Sequence, residues 1–222
     1  MTEAIRDRLR GIPVFAHAGH VGAEDFEDSG LPENPVPVVA EWILAAHAAG
    51  QPEPHAMSLC TVDAQGIPSS RVLLVKDVDA DRLFFATPAD SRKGTDIASN
   101  PHVAAHFYWP VTGRQVRITG TASAQDRDAS ERDFAERGRG SRLSAHLHRP
   151  GPLPDRRTAL EEFRRLDALH PDRVPCPPSW TLYAITPTEV EFWEAGTDRV
   201  HHRVRYRRDT AGDAWRHELL WP

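Results

Sequence analysis

Apolar residues recur along this chain at two spacings, and the switches between them lay out the elements. After Asn34, a cap residue followed by prolines in the first turn, Val38, Val39, Trp42, Ile43 and Ala46 fall at helical intervals until Gly50. That pattern predicts an amphipathic helix with Trp42 in the core. From Ala56 to Val62 the spacing becomes that of a strand, and Asp63 to Gly66 is a tight-turn signal leading into the run Ser69 to Lys76. This run, β-branched and apolar with Arg71 and Lys76 towards its ends, reads as a core strand with a charged group at each margin. Residues 1–31 show no sustained period and contain Gly11, Gly19, Gly22 and Gly30, so they read as an arm that is mobile or ordered only on a partner.

Further strands are predicted over Arg82–Thr87, His102–Trp109, Gln115–Ala124, Thr181–Ile185, Glu189–Trp193, Val200–Tyr206 and Trp215–Leu220. A short helix opens at Ser91 and ends at Asn100-Pro101. Another spans Asp126–Glu136, a third carries Leu160, Phe163, Leu166 and Leu169 on one face, and Gly140-Ser141 marks a short turn between them. Arg149 to Pro154 reads as an extended loop. Neighbouring strands joined by short turns predict an α+β fold, mainly β, in which an antiparallel sheet closes into a barrel with helices at its margin. The chain divides into the arm 1–31 and one domain, 32–222.

The 222 residues suffice for one sizeable core, and a net charge of −5 leaves no cationic surplus to follow a nucleic-acid backbone. Two cysteines, Cys60 and Cys176, imply no disulfide framework, and no apolar stretch is long enough to span a bilayer. These features predict a cytoplasmic protein with neither nucleic acid nor membrane as partner.

Phosphate-loop, nucleophile-elbow and zinc motifs are absent, and the pairs His146/His148 and His201/His202 lack a third ligand at useful spacing, so no metal site is expected. The candidate chemistry is cationic. Ser91, Arg92 and Lys93 at a helix start could converge with Arg71 on one phosphate, or could be solvated charges. Arg137, Arg139 and Ser141 lie in a glycine-loosened turn that could wrap an anion or simply bend in solvent. If Arg199, His201 and Arg203 lie in one strand they share a face, beside Trp193, and suit a planar anionic molecule; paired with carboxylates, they would be an ordinary polar face.

In these stretches the chain, from about Asn34 to Pro222, resembles the pyridoxamine 5′-phosphate oxidase family of flavoproteins. The likeness is carried in order by Pro54–Met57, Ser70–Lys76, Ser91–Gly94, Asn100-Pro101 with Phe107–Trp109, Arg114–Val116, Arg137–Ser141, Glu191–Trp193, and Arg199–Arg203 with Tyr206. The resemblance implies an FMN-binding split β-barrel acting as a homodimer with its flavin sites between subunits. It implies that Arg71, Lys76, Thr87, Arg92, Lys93, Gln115, Trp193 and Arg203 hold FMN. It further implies that Lys76, Arg137 and Ser141 bind a substrate phosphate, and that Arg199 and His201 are the catalytic pair holding the pyridine ring.

The activity implied is oxidation of pyridoxamine or pyridoxine 5′-phosphate by O2, giving pyridoxal 5′-phosphate and H2O2. The chain departs from the family pattern in four places. Asp133 stands where a phosphate-binding Tyr is usual, Pro150-Gly151 replaces a Gln-Ser pair, His202 replaces an acidic residue, and the arm lacks a basic, Tyr-containing segment. These departures keep two other readings open: a phenazine-biosynthesis-like oxidase acting on a reduced aromatic carboxylate, and a non-catalytic flavin-binding split-barrel module.

Overall fold

Asn34 starts the longest early helix as its residue type dictates: its side chain accepts a hydrogen bond from the Val36 N–H at 3.0 Å, and Pro35 lacks the N–H that a first-turn position would leave unpaired. The computed structural model describes residues 3–10, 30–149, 151–196 and 198–222. In these residues the helices are α1 (Glu3–Arg10), α2 (Pro35–Ala48), α3 (Arg92–Ser99), α4 (Arg127–Glu136), α5 (Arg139–Ala145) and α6 (Arg156–Leu169). The strands are β1 (Ala56–Val62), β2 (Pro68–Leu74), β3 (Asp77–Val78), β4 (Leu83–Pro88), β5 (His102–Trp109), β6 (Arg114–Ala124), β7 (Trp180–Glu194), β8 (His202–Arg207) and β9 (Arg216–Leu219). Of the expected arm, Glu3–Arg10 is helical rather than aperiodic coil, and residues 11–29 lie outside the described residues.

The strands pair antiparallel in the order β2-β1-β5-β6-β7-β4-β3, with β8 on β7 and β9 on β8. The two ends of that path are consecutive in the chain. Between β2 and β3 only Val75 and Lys76 intervene: the Val75 N–H bonds His55 O at 2.9 Å and the Lys76 N–H bonds Phe84 O at 2.8 Å. This crossing draws the β1 side towards the β4 side and curls the sheet into a split barrel. Met57, Leu59, Phe85, Phe107 and Ile118 fill its interior without solvent exposure, and α2 seals it with Val39 and Trp42, whose indole meets Phe192 edge-on at 5.0 Å. Burying each such side chain stabilises the fold by about 1.5–3 kcal/mol. A smaller core of Phe134, Leu143, Leu166, Val174 and Trp180 ties α4, α5 and α6 to the start of β7.

Five sequence expectations need correction. Ser69–Lys76 is not a core strand: β2 pairs only with β1, none of its residues is buried, and Val72 is 65% exposed, because alternation sets which face a residue takes but not where the strand lies in the sheet. Thr181–Ile185 and Glu189–Trp193 are one continuous strand, β7, which passes Pro187 where the β6 register shifts between Thr119 and Gly120. Gly120 is needed there, since a Cβ would lie 2.2 Å from Thr186 O. The expected turn at Gly140-Ser141 is helical, within α5. Only Leu166 of the expected α6 face is buried, while Leu160 and Leu169 are exposed. Arg199 and His201 both lie outside β8, which starts at His202, and Arg199 stands in a turn with φ of 71°, so the shared-face argument for Arg199, His201 and Arg203 does not hold.

Candidate active site

Ser91 organises the first group. As N-cap of α3 its hydroxyl accepts from the Gly94 N–H at 3.4 Å and from the Lys93 ammonium at 3.1 Å, while it donates to Pro88 O at 2.7 Å. Gly94 is required by close packing, because a Cβ would stand 2.3 Å from Ala89 O. Thr87, buried at the end of β4, places its hydroxyl 3.5 Å from that of Ser91. From β2, Arg71 donates to Leu59 O at 3.2 Å, to Thr61 Oγ1 at 2.8 Å and to Ser69 Oγ at 2.8 Å. Thr61 in turn donates to Asp96 Oδ2 at 2.6 Å, which links β1, β2 and α3 through buried polar atoms.

The group carries an excess of positive charge. Burial, and then the nearby charge of Arg71, lowers the pKa of the Lys93 ammonium; burial lowers that of Arg71 too, with Arg92 adding to the effect and Asp96 opposing it. Lys93 and Arg92 close to Arg71, at a helix N-terminus capped by the Ser91 hydroxyl, suit an anionic group such as a phosphate. Thr87 and Lys93 are thus gathered at the Ser91 hydroxyl, with Arg71 and Arg92 near enough for their charges to act on each other.

A second group runs across the sheet. Gln115 faces Trp193 between β6 and β7, and Trp193 faces Arg203 between β7 and β8, so the three stand in a row over adjacent strands. Gln115 Oε1 is 3.3 Å from His106 Nε2. The His201 ring lies 4.7 Å from the Trp193 ring, and its Nδ1 accepts the Gly196 N–H at 3.2 Å, so the neutral ring carries its proton on Nε2. Arg203 is held from both sides, donating to Glu191 Oε1 at 2.8 Å and to Trp221 O at 2.8 Å. Glu191, itself buried, also pairs with Arg117. Arg199 is exposed, its backbone N–H bonded to Gly196 O at 3.2 Å.

The third group lines a cleft of about 300 Å³ formed by Lys76, Asp77, Phe84, Ala129, Arg132, Asp133, Glu136 and Leu182. Lys76 reaches it from the crossing between β2 and β3, after β2 has ended at Leu74. Beside it the Arg137 guanidinium stacks 4.1 Å over the Trp180 ring and donates to Ser141 O at 3.0 Å. Burial lowers the pKa of Arg137, with Asp133 opposing. The Trp180 indole N–H donates to Asp133 Oδ2 at 2.9 Å. Arg137 and Ser141 therefore meet as expected, although through the serine carbonyl rather than its hydroxyl. Of the departures, Gly151 takes φ of 92°, His202 is exposed on β8, and Pro150 lies outside the described residues.

Thr61, Asp96, Glu191 and Trp180 were not legible as site residues. Thr61 alone left a signal, a hydroxyl residue on the same strand parity as Met57 and Leu59. Among the described residues no cluster of three or more His, Cys, Asp or Glu is placed to hold a metal ion, and no helix is long and apolar enough to cross a membrane.

Residues 43–194 match the family model described as pyridoxamine 5′-phosphate oxidase, and residues 180–222 match that of the pyridoxine 5′-phosphate oxidase C-terminal dimerisation region. A pyridoxine/pyridoxamine 5′-phosphate oxidase of Burkholderia vietnamiensis is 41% identical over 183 residues, covering 82% of this chain and 86% of the relative. One from Salinibacter ruber is 40% identical over 196 residues, covering 86% and 90%. Among solved structures, PhzG from Burkholderia lata in complex with tetrahydrophenazine-1-carboxylic acid has a TM-score of 0.86 at 30% identity, covering 92% of this chain and all of that one. A pyridoxamine 5′-phosphate oxidase-related, FMN binding protein from Nostoc punctiforme shares the fold, with a TM-score of 0.72 at 22% identity over 86% of this chain.

Proposed function

The chain belongs to the pyridoxamine 5′-phosphate oxidase family of FMN-dependent oxidoreductases, and from that premise we propose that it oxidises pyridoxamine or pyridoxine 5′-phosphate to pyridoxal 5′-phosphate. The observation that carries the cofactor half of this reading is the cation excess at the start of α3, where Lys93, bonded to the Ser91 hydroxyl, and Arg92 lie close enough to Arg71 for their charges to act on one another. When bound, FMN supplies the redox chemistry, which is removal of a hydride from the substrate carbon bearing the amine or hydroxyl and delivery of two electrons to O2, giving H2O2.

The protein's own part is position and charge. Arg71 and Lys93 neutralise the flavin phosphate, with Thr87 and Ser91 as neighbouring hydroxyls. Gln115, Trp193 and Arg203, in a row across β6, β7 and β8, would hold the flavin ring system, and the Glu191 carboxylate fixes the Arg203 guanidinium. Lys76, Arg137 and Ser141 anchor the substrate phosphate, while Arg199 from its turn and His201 through its Nε2–H orient the pyridine ring. The reading also takes each flavin site to be completed by a second copy of the chain. Supporting this are the dimerisation region matched by residues 180–222 and the exposed apolar side chains Val72 and Tyr108 on β2 and β5.

A second reading, oxidation of a reduced aromatic carboxylate, is favoured by Asp133 in the anchoring cleft and by the likeness to PhzG. Oxygen-consumption assays on the FMN-loaded protein separate the two. Turnover of pyridoxamine 5′-phosphate with pyridoxal 5′-phosphate as product is expected; turnover of a dihydroaromatic carboxylate alone would transfer the assignment to the second reading.

A further inference from the structure

The anchoring cleft is electrically balanced in a way its proposed task does not require. Lys76 and Arg132 line it and Arg137 adjoins it, yet Asp77, Asp133 and Glu136 stand among them. Two of these carboxylates are exposed, at Asp77 and Glu136, and are readily screened by solvent. Asp133 is different. It is half-buried, and Oδ2 is held by the Trp180 indole, the same ring on which the Arg137 guanidinium stacks. Among the described residues its other oxygen has no hydrogen-bond donor. That carboxylate oxygen can accept a hydrogen bond from an acidic O–H in the cleft and repels a ligand oxygen that carries none.

We propose that Asp133 is a specificity-determining residue that makes the cleft select a phosphate ester retaining one proton over the phosphate dianion. The inference rests on the reading of this cleft as the place where the substrate's anion is held. A phosphate monoester has its second pKa at about 6, so the two charge states exchange within an accessible pH range. Several charged or titratable groups face Asp133. They are Lys76 and Asp77 after β2, Arg132, Glu136 and Arg137 on and after α4, and Cys176 before β7, whose thiol burial pushes upward. No histidine lines the cleft.

The test is calorimetric titration of the FMN-loaded protein with phenyl phosphate, which is not turned over, between pH 5 and pH 7.5, and with benzoate. Phenyl phosphate is expected to bind roughly tenfold more tightly at the acid end, following the ester's second ionisation, while benzoate shows no such gain. Asp133→Asn, which keeps an acceptor for the Trp180 N–H, should abolish or invert the phenyl phosphate profile. Glu136→Gln should leave it in place. Absence of phenyl phosphate binding that Asp133→Asn restores would also support the proposal. Tighter binding of the dianion by the unaltered protein, an Asp133→Asn profile unchanged from it, an equal effect of Glu136→Gln, or no binding of either ligand to any form would overturn it. The two readings fail separately: turnover with a flat profile rejects this inference alone, and an intact profile without pyridoxal 5′-phosphate formation rejects the proposed substrate alone.

Discussion

Arg71 and Asp96 meet on opposite sides of one hydroxyl: Thr61 Oγ1 accepts from the Arg71 guanidinium at 2.8 Å and donates to the Asp96 carboxylate at 2.6 Å. The carboxylate therefore reaches the arginine only through the threonine, which aims the guanidinium without neutralising it in a direct ion pair. An arginine held in place by neutral oxygens keeps its charge available to an incoming phosphate.

Replacing Thr61 by valine should keep the volume and remove both bonds. FMN affinity is expected to fall about tenfold, or ~1.4 kcal/mol, as Arg71 loses its aim and Asp96 its donor. Flavin fluorescence titration measures it, and affinity equal to that of the unaltered protein would separate this hydroxyl from the cofactor site.

Lys93→Met should weaken FMN by about a hundredfold, since a charge-assisted bond of ~1.5–3 kcal/mol is lost. The same change should make the flavin-free protein less sensitive to pH in the alkaline range. Lys93 has a folded pKa below its ordinary value, so the unfolded chain binds more protons between the two values and stability rises with pH across that window. Thermal melts of both forms at pH 8 to 10.5 report it.

Tyr206 is fully buried with no partner for its hydroxyl among the described residues, and burial pushes its pKa up to about 12. Tyr206→Phe should raise stability by about 1 kcal/mol at neutral pH, because an unsatisfied buried group is removed. The sign at high pH is opposite to that for Lys93. The unfolded chain releases this proton near 10 and the folded one near 12, so the unaltered protein loses stability as pH rises through that interval, and the variant should lack this component of the loss.

Gly94→Ala should cost about 3 kcal/mol, because its Cβ would drive α3 away from the Ala89 carbonyl, and FMN affinity should fall with it. Arg199→Ala should instead leave FMN bound and stability unchanged while turnover drops by about a hundredfold. Denaturant unfolding and steady-state rates on the two variants distinguish a fold defect from a substrate defect.

Much of this arrangement could be read from local sequence and some could not. The α2 and α3 starts are legible because Asn34 and Ser91 make their capping bonds within three residues. The convergence of Arg71, Arg92 and Lys93 at the α3 start was legible in the residues themselves, while Thr87 joined that group only through the family resemblance. The bond between Thr61 and Asp96 spans 35 residues and exists only because α3 packs on β1. The edge position of β2 depends on the order of the strands. Arg199 departs from its expected face because its backbone is left-handed, a conformation that arginine seldom takes and that no spacing foretells.

Anaerobic addition of pyridoxamine 5′-phosphate to the purified, FMN-loaded protein, followed by visible absorbance, tests the central claim most directly. Rapid bleaching of the oxidised flavin band, reversed on admitting air with pyridoxal 5′-phosphate formed, is the predicted result. A flavin that binds but stays oxidised in the presence of this substrate would contradict the account.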